Sequence, residues 1–202
     1  HAPMTAQTWV EPVVLEGTRI RLEPLRTDHL ADLRRVAFDA PLWRWTIMGE
    51  QDEAGLRRWL DTALANADAG IERPFATIDR ASGRAVGSTR YLSIVPEHRR
   101  LEIGWTWIAT ALQRTGANRE AKLLQLRHAF ETLGANRVEF KTHARNEPSR
   151  TALAGIGARF EGVIVARMVK GVRELMIGAH RDPVFGPVVV IGDGGKYVEA
   201  MP

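Results

Sequence analysis

The sequence has no cysteine, no long apolar run and no block of like charge. Without cysteine the chain has no disulfide framework, no thiolate nucleophile and no zinc–sulfur site, and a reducing, cytoplasmic location is expected. No uncharged apolar run approaches the ~18–20 residues of a membrane span, so no membrane association is predicted. The 28 basic and 24 acidic residues are spread along the chain, which argues against a nucleic-acid partner and suits a small anionic ligand.

Two common catalytic arrangements are also missing. The six histidines include no pair at metal-ligand spacing on one helix face, so no catalytic metal is expected. No serine stands in the Gly-x-Ser-x-Gly elbow of a hydrolase. What the chain does have is 202 residues, of which 45% are hydrophobic, enough for one domain with a substantial core.

Hydrophobic periodicity predicts alternating strands and helices up to about residue 162. Period-two patterns mark five strands, at 18–22, 75–79, 85–95, 100–108 and 136–143. Helical spacing marks four helices, which start at Thr27, after Asp52, after Asn118 and at Asn146. The first runs up to Pro41. The third runs to Leu133, with Gly134 as its cap and an apolar face of Leu123, Leu126, Phe130 and Leu133. Strands 75–79, 85–95 and 100–108 are joined by short turns and form an antiparallel meander, whose apolar faces need helices to cover them. The fold class is therefore α/β (α+β).

The most informative segment is a glycine-bearing loop, 113–118, between the strand 100–108 and the next helix. Its residues are Gln113, Arg114, Thr115, Gly116, Ala117 and Asn118. A helix N-terminus carries unpaired N–H groups and a partial positive charge, so it binds phosphate. Gly116 lets a ligand approach the backbone closely, and Arg114 adds positive charge. Taken alone, the same spacing is also typical of a purely structural turn.

These elements and segments resemble the GNAT acetyltransferase superfamily, and within it the branch of the ribosomal-protein alanine N-acetyltransferases. The family's pyrophosphate loop, Gln/Arg-x-x-Gly-x-Gly/Ala, is similar to 113–118, with Asn118 at a position where the family has Gly or Ala. Segment 102–108 resembles the strand that parts from its neighbour, 136–142 the next strand, and 146–150 the Asn-x-x-Ser element. The resemblance covers about 13–162 and implies a GNAT-like mixed, mostly antiparallel sheet flanked by helices.

The resemblance implies that acetyl-CoA is the cofactor and that the acetyl group moves to a primary amine, by direct attack in a ternary complex. The acceptor would be a small molecule or a peptide. The residues implied to bind the cofactor are Trp107, Ile108, Ala109, Gln113, Arg114, Thr115, Gly116, Ala117, Asn118, Asn146 and Ser149. The alternative is a non-catalytic, CoA-binding protein of the same fold with an altered acceptor site.

Two catalytic roles are carried over by the resemblance, each beside a structural alternative. Glu102 is the candidate general base, acting through water, or else a strand-edge carboxylate paired with Arg99 or Arg100. Ser149 is the candidate hydrogen-bond donor to the leaving thiolate, or else a first-turn serine that caps its own helix. Asn146 holds the CoA arm or only caps that helix.

Two tryptophans, Trp43 and Trp45, flank the gap between the first two helices, where the family has its acceptor pocket. They either line this pocket or belong to the core, as aromatic residues between helices often do.

The tail from Val163 onward is rich in glycine and proline and has no helical pattern. Strands are predicted at 163–169, 172–180 and 187–191, with a fourth at 197–200, and hairpins should join them. Segments between 173 and 199 resemble a fragment of the ATP-grasp domain of ADP-forming acyl-CoA synthetases, which is consistent with a fusion.

The chain is therefore divided into residues 1–12, a tag remnant or disordered N-terminus, 13–162, the acetyltransferase domain, and 163–202, a β-rich tail that completes the sheet. An exposed closing strand could pair two chains as a homodimer. The alternative for the tail is an ATP-using ligase fragment with a glycine-rich phosphate loop at 192–195.

Overall fold

Nine strands and four α-helices make up the part of the chain that the computed structural model describes, residues 9–46, 51–164, 174–182 and 186–193. The helices are α1 (Leu30–Leu33), α2 (Glu53–Asp68), α3 (Ala117–Arg127) and α4 (Glu147–Ala154). The strands are β1 (Leu15–Glu16), β2 (Ile20–Pro24), β3 (Arg73–Asp79), β4 (Arg84–Val95), β5 (Arg100–Ile108), β6 (Arg137–His143), β7 (Arg159–Ile164), β8 (Glu174–Asp182) and β9 (Gly186–Asp193). No helix within these ranges is long and apolar enough to cross a membrane.

The strands form one sheet in the order β1-β2-β3-β4-β5-β6-β8-β7-β9. From β1 to β5 each strand pairs antiparallel with the next, which confirms the predicted meander of β3, β4 and β5. Strand β6 lies parallel to β5 and antiparallel to β8, and β7 and β9 pair antiparallel with β8. The sheet is mixed and mostly antiparallel, as predicted.

Helices cover both faces of this sheet. Helix α2 begins after Asp52, whose carboxylate accepts a hydrogen bond from Gly55 N at 2.6 Å, and buries Leu56 and Leu60. Together with α1 it closes one core. On the opposite face, α3 packs through Ala117 and Ala121 against strand residues such as Ile103 and Val138.

The first predicted helix is shorter than the sequence pattern indicates. A 3-10 turn, Thr27–His29, leads into the single turn of α1. After Leu33 the hydrogen bonds are mixed, since Arg35 N donates to Asp32 O and Val36 N to Leu33 O, three residues back, whereas Ala37 N donates to Leu33 O, four residues back. Residues 34–38 are therefore turns and do not continue the helix up to Pro41.

Helix α3 also differs from its prediction, which ran to Leu133 with Leu123, Leu126, Phe130 and Leu133 as the apolar face. The regular helix ends at Arg127 and continues as a wider turn, His128–Thr132. Its buried positions are Ala117, Ala121, Lys122 and Gln125. Of the predicted face, Leu126, Phe130 and Leu133 are half-buried and pack against the core, whereas Leu123 is 51% exposed. Gly134 ends this segment with φ +65°, as predicted for a helix cap.

Packing at the N-terminus begins before residue 13, the predicted start of the domain. Val10 is fully buried, its carbonyl accepts from Arg73 Nε at 2.7 Å, and Trp9 Nε1 donates to Leu133 O at 3.0 Å. Residues 1–8 lie outside the described residues.

In the tail, β7 begins at Arg159, before the strand predicted for 163–169, and is described up to Ile164. Strands β8 and β9 correspond to the predictions 172–180 and 187–191 and pair as the expected hairpin. The predicted strand 197–200 and glycines 194 and 195 lie outside the described residues.

Candidate active site

Strands β5 and β6 part to form a fork. They pair at Arg100↔Arg137, Leu101↔Val138 and Glu102↔Glu139, and both then continue without further pairing to each other. A cleft of about 640 Å³ opens between the separated halves and extends to the start of α3 and to α4. The strands are thus apart where the resemblance places the cofactor arm.

A β-bulge in β5 lies just beyond the fork. Ser88 faces Trp107 and Arg90 faces Gly104, so β5 has one extra residue over this span. Trp105 takes up the irregularity with φ +51°, a value that non-glycine residues seldom adopt. Because a bulge bends its strand and increases the local twist, it helps β5 diverge from β6.

The N-terminus of α3 faces the cleft at Gly116. This residue is the N-cap of α3, has φ +94° and has no side chain to cap the helix; among the first N–H groups, that of Ala117 makes a long hydrogen bond to Thr115 Oγ1, at 3.4 Å. A Cβ at Gly116 would meet only Arg19 Nε, at 3.8 Å, so the space above the backbone is open. The φ angle and the open approach both fit the phosphate-binding turn predicted from the sequence.

The charge along the cleft has one sign. Four of its lining residues are basic, and no aspartate or glutamate is among the described residues that line it. The four are Arg114, Arg119, Lys122 and Lys141. A cavity of this charge beside the N-terminus of α3 fits a ligand that carries several phosphates.

Most of the predicted cofactor-binding residues meet at this cleft. Those that line it are Trp107, Ile108, Gln113, Arg114, Gly116, Asn118, Asn146 and Ser149. The predicted residues Ala109, Thr115 and Ala117 are not part of the lining. Ala109 N donates to Val86 O at 2.7 Å, Thr115 Oγ1 donates to Leu112 O at 2.7 Å, and Ala117 is buried against the sheet.

Glu102 lies at the point of the fork and is 5% exposed. Lys141 Nζ lies 2.9 Å from its Oε2, which also accepts a hydrogen bond from Ser93 Oγ at 3.2 Å. Burial raises the pKa of Glu102, and the Lys141 cation opposes that rise. Glu102 does not itself line the cleft, but its ion-pair partner Lys141 does. The sequence did not suggest this partner.

Asn146 and Ser149 share the first turn of α4. Asn146 Oδ1 accepts a hydrogen bond from Ser149 N at 3.2 Å, so Asn146 is the helix cap and Ser149 does not cap its own helix. Both residues line the cleft. The Ser149 hydroxyl has no hydrogen-bond partner among the described residues, which leaves it available to a ligand.

The two tryptophans considered for the acceptor pocket have different positions. Trp43 is buried, with its ring 5.3 Å from that of Trp107, and belongs to the core. Trp45 lines the cleft, 5.2 Å from the His143 ring. Trp105, for which the sequence indicates no role, lines both the cleft and a smaller cavity of about 410 Å³ beside α2.

Lys122 is the functional candidate that sequence reasoning missed. It projects from α3 into the cleft and is only 6% exposed. Its Nζ donates hydrogen bonds to the hydroxyls of Thr89 and Thr106 and lies 5.8 Å from the centre of the Phe140 ring. Burial lowers the pKa of Lys122 to about 7. The local sequence has no signal for this position, since a lysine in a helix is ordinarily exposed.

Solved structures of acetyltransferases have the same fold. A GNAT-family acetyltransferase from Chromobacterium violaceum is 28% identical with a TM-score of 0.77, over 89% of this chain and 92% of its own. A GCN5-related N-acetyltransferase from Brucella melitensis is 29% identical with a TM-score of 0.75, over 85% and 80%. Mycobacterium smegmatis RimJ, solved in complex with CoA-disulfide, shares the fold at 24% identity and a TM-score of 0.71, over 83% and 87%.

The C-terminal part is similar to a second family. A model of the ATP-grasp domain matches residues 142–202. The acetate–CoA ligase (ADP-forming) I of Archaeoglobus fulgidus is 54% identical over 44 residues, which are 22% of this chain and 6% of that enzyme. The chain therefore matches only a small piece of such ligases.

The longest family match concerns the domain that contains the fork and the cleft. A model of the acetyltransferase (GNAT) domain matches residues 19–159, which include β2 to β6 and all four helices. This match and the geometry of the cleft agree with the resemblance seen in the sequence. The chain belongs to the GNAT family of acetyltransferases, and is an acyltransferase whose cofactor is acetyl-CoA.

Proposed function

We propose that the protein transfers the acetyl group of acetyl-CoA to a primary amine, by direct attack within a ternary complex. The observation that carries this proposal is the basic cleft, which runs from the N-terminus of α3 to the fork and ends beside the buried Glu102–Lys141 pair. Bound there, acetyl-CoA supplies an acetyl group activated as a thioester.

The residues of the cleft divide the binding task. The N–H groups at the start of α3, together with Arg114 and Arg119, face the phosphates. The N–H group of Ala109 points to β4, where it donates to Val86 O. Backbone groups of successive strand residues point to opposite sides, so those of Ile108 point toward the gap, where they can pair with the pantetheine amides. Asn146 and Ser149 hold the opposite wall, with the Ser149 hydroxyl as a donor to the sulfur.

Glu102 is the base of the proposed reaction. An acceptor ammonium must lose a proton before its nitrogen can attack, and a water molecule beside Lys141 would carry that proton to Glu102. Because burial raises the pKa of Glu102, a carboxylate here is a stronger base than one in water. Turnover should therefore increase as the pH rises through the pKa of Glu102. The half-buried Trp45 and Trp105 suit the acceptor side of the cleft.

The test combines calorimetry with CoA and an assay of acetyl-CoA consumption over a panel of amines, amino acids and N-terminal peptides. Glu102→Gln should lower turnover by about 100-fold, the lower end of general-base contributions, with CoA affinity nearly unchanged. Glu139→Gln is the matched control, because Glu139 is an equally buried carboxylate at the fork whose partners are Arg137 and Arg100. It should keep most of the activity.

The results of these experiments distinguish the proposed function from its alternative and test the role of Glu102 separately. Binding of CoA without turnover of any amine would indicate the non-catalytic alternative of the same fold. Absence of CoA binding at millimolar concentration would refute the proposal as a whole, and equal losses for both glutamates would refute the role of Glu102.

A further inference from the structure

Lys122 is a buried amine with no carboxylate partner among the described residues. The groups packed around its Nζ are the hydroxyls of Thr89 on β4 and Thr106 on β5, and the ring of Phe140 on β6. The side chain of Gln125 completes this contact, since its Oε1 accepts from Thr89 Oγ1 at 3.1 Å. An unpaired ammonium is costly to bury, so this lysine needs an explanation that packing does not provide.

The position of Lys122 places it under the open part of the fork. Phe140 follows directly after Glu139, the last β6 residue that pairs with β5. Thr106 is two residues from Ile108 on β5, in the direction of the fork. A cofactor arm that enters at Gly116 and pairs along Ile108 therefore brings its sulfur end toward Thr106, the residue to which Lys122 donates.

We infer that Lys122 delivers the proton to the CoA sulfur as the acetyl group departs. This inference rests on the proposed function. The acceptor nitrogen loses one proton to Glu102 before attack and a second as the new C–N bond forms. The C–S bond breaks, the sulfur takes a proton from Lys122 Nζ, and the neutral Nζ takes up the second nitrogen proton through water. Glu102 releases its proton to solvent, so one proton leaves in each turnover.

The acidity of the two groups favours this direction of transfer. Burial lowers the pKa of Lys122 to about 7, whereas an ordinary thiol has a pKa of about 8.5. A proton therefore moves downhill from the ammonium to the thiolate. The neutral amine that remains is the form that a buried, apolar site prefers. The Ser149 hydroxyl can only hydrogen-bond the sulfur, because its own acidity is far too low to supply the proton.

The absence of cysteine from the chain allows a direct test with CoA alone. The only thiol in the complex is that of CoA, so the ultraviolet absorbance of its thiolate can be followed while the pH is raised from about 6 to about 9. Desulfo-CoA, which has no thiol, provides the reference. Lys122 and the thiol titrate as a coupled pair, so part of the thiolate in the wild-type complex should form near pH 7, together with the loss of the Lys122 proton, which shifts the onset of the titration below that of free CoA.

Lys122→Met should remove this shift while CoA still binds, and Lys122→Gln serves as a second variant if the first does not fold. Leu123→Ala, at the exposed position next to Lys122 on α3, should keep the shift. A wild-type complex in which the bound thiol titrates as in free CoA overturns the inference and leaves the proposed function intact. The same holds if the lysine variants retain the shift. Failure of the wild type to bind CoA in calorimetry would instead overturn the proposed function.

Discussion

Lys122 should make the stability of the fold depend on pH. Its pKa is lowered from 10.5 to about 7 by burial, so between these values the unfolded chain holds a proton that the folded chain does not. Stability therefore increases as the pH rises through this range, and the ammonium destabilises the fold most at and below pH 7.

Lys122→Met should accordingly stabilise the protein at low pH. The gain should shrink by about 2–3 kcal/mol between about pH 6 and about pH 9, as measured by urea denaturation. Leu133→Ala is the control, since it removes apolar packing at the end of the same helical segment, away from Lys122, and should shift stability equally at both pH values. A gain that is independent of pH would show that Lys122 is not the buried cation described here.

At single positions, the sequence predicts best where backbone geometry dictates the residue. Gly116, Gly134 and the Asn146 cap have the roles that their residue types indicate. Lys122 and Trp105 were missed because their importance comes from tertiary contacts. A lysine in a helix is expected to be exposed, and nothing local indicates that β5 bulges at Trp105.

The role of Gly116, at the start of α3, can be tested by comparing its substitution with that of Gly134, at the end of the same helical segment. Gly116 and Gly134 have φ +94° and +65°, and a Cβ would find ordinary space at either position. Substitution by alanine should thus strain both backbones, at a cost of about 1–2 kcal/mol each in urea denaturation.

Only Gly116→Ala should weaken the binding of CoA, by about tenfold or more in calorimetry, because only Gly116 lies in the cleft. Gly134→Ala should bind CoA as the wild type does. Equal effects of the two substitutions on CoA affinity would contradict the assignment of the α3 N-terminus as the phosphate site.

Whole elements show the same contrast between local and tertiary information. Strand β5 matches its predicted bounds because alternation of apolar residues is a local signal. The buried face of α3 was predicted only in part, since Leu126, Phe130 and Leu133 pack against the core, whereas Leu123 is exposed and Lys122 and Gln125 are buried. Glu120 contributes to the orientation of α3, because its carboxylate accepts hydrogen bonds from the backbone N–H groups of three residues, Thr18, Arg19 and Ile20.

In the whole molecule, the fork is the feature that the sequence alone could not supply. It results from a parallel pairing of three residue pairs, from the bulge that bends β5, and from β8, which pairs along β6 on its other edge. Each of these is a relation between distant segments. Only the family resemblance predicted that 102–108 parts from its neighbour, and the cleft charge and the Glu102–Lys141 pair became evident from the folded chain.

Hydrogen exchange monitored by mass spectrometry can test the whole binding path at once. CoA should slow exchange in three segments that line the cleft, 106–108 on β5, 113–119 at the start of α3 and 146–149 at the start of α4. Exchange in the middle of α2, on the opposite face of the sheet, should not change.

ATP is the matched ligand, because it has phosphates but no pantetheine arm. It should protect at most 113–119 and leave 106–108 unaffected, since the arm is what reaches the fork. Protection of 186–193 by ATP would favour the ligase-fragment alternative for the tail. Protection by CoA that spares 106–108 would show that the arm does not enter between β5 and β6.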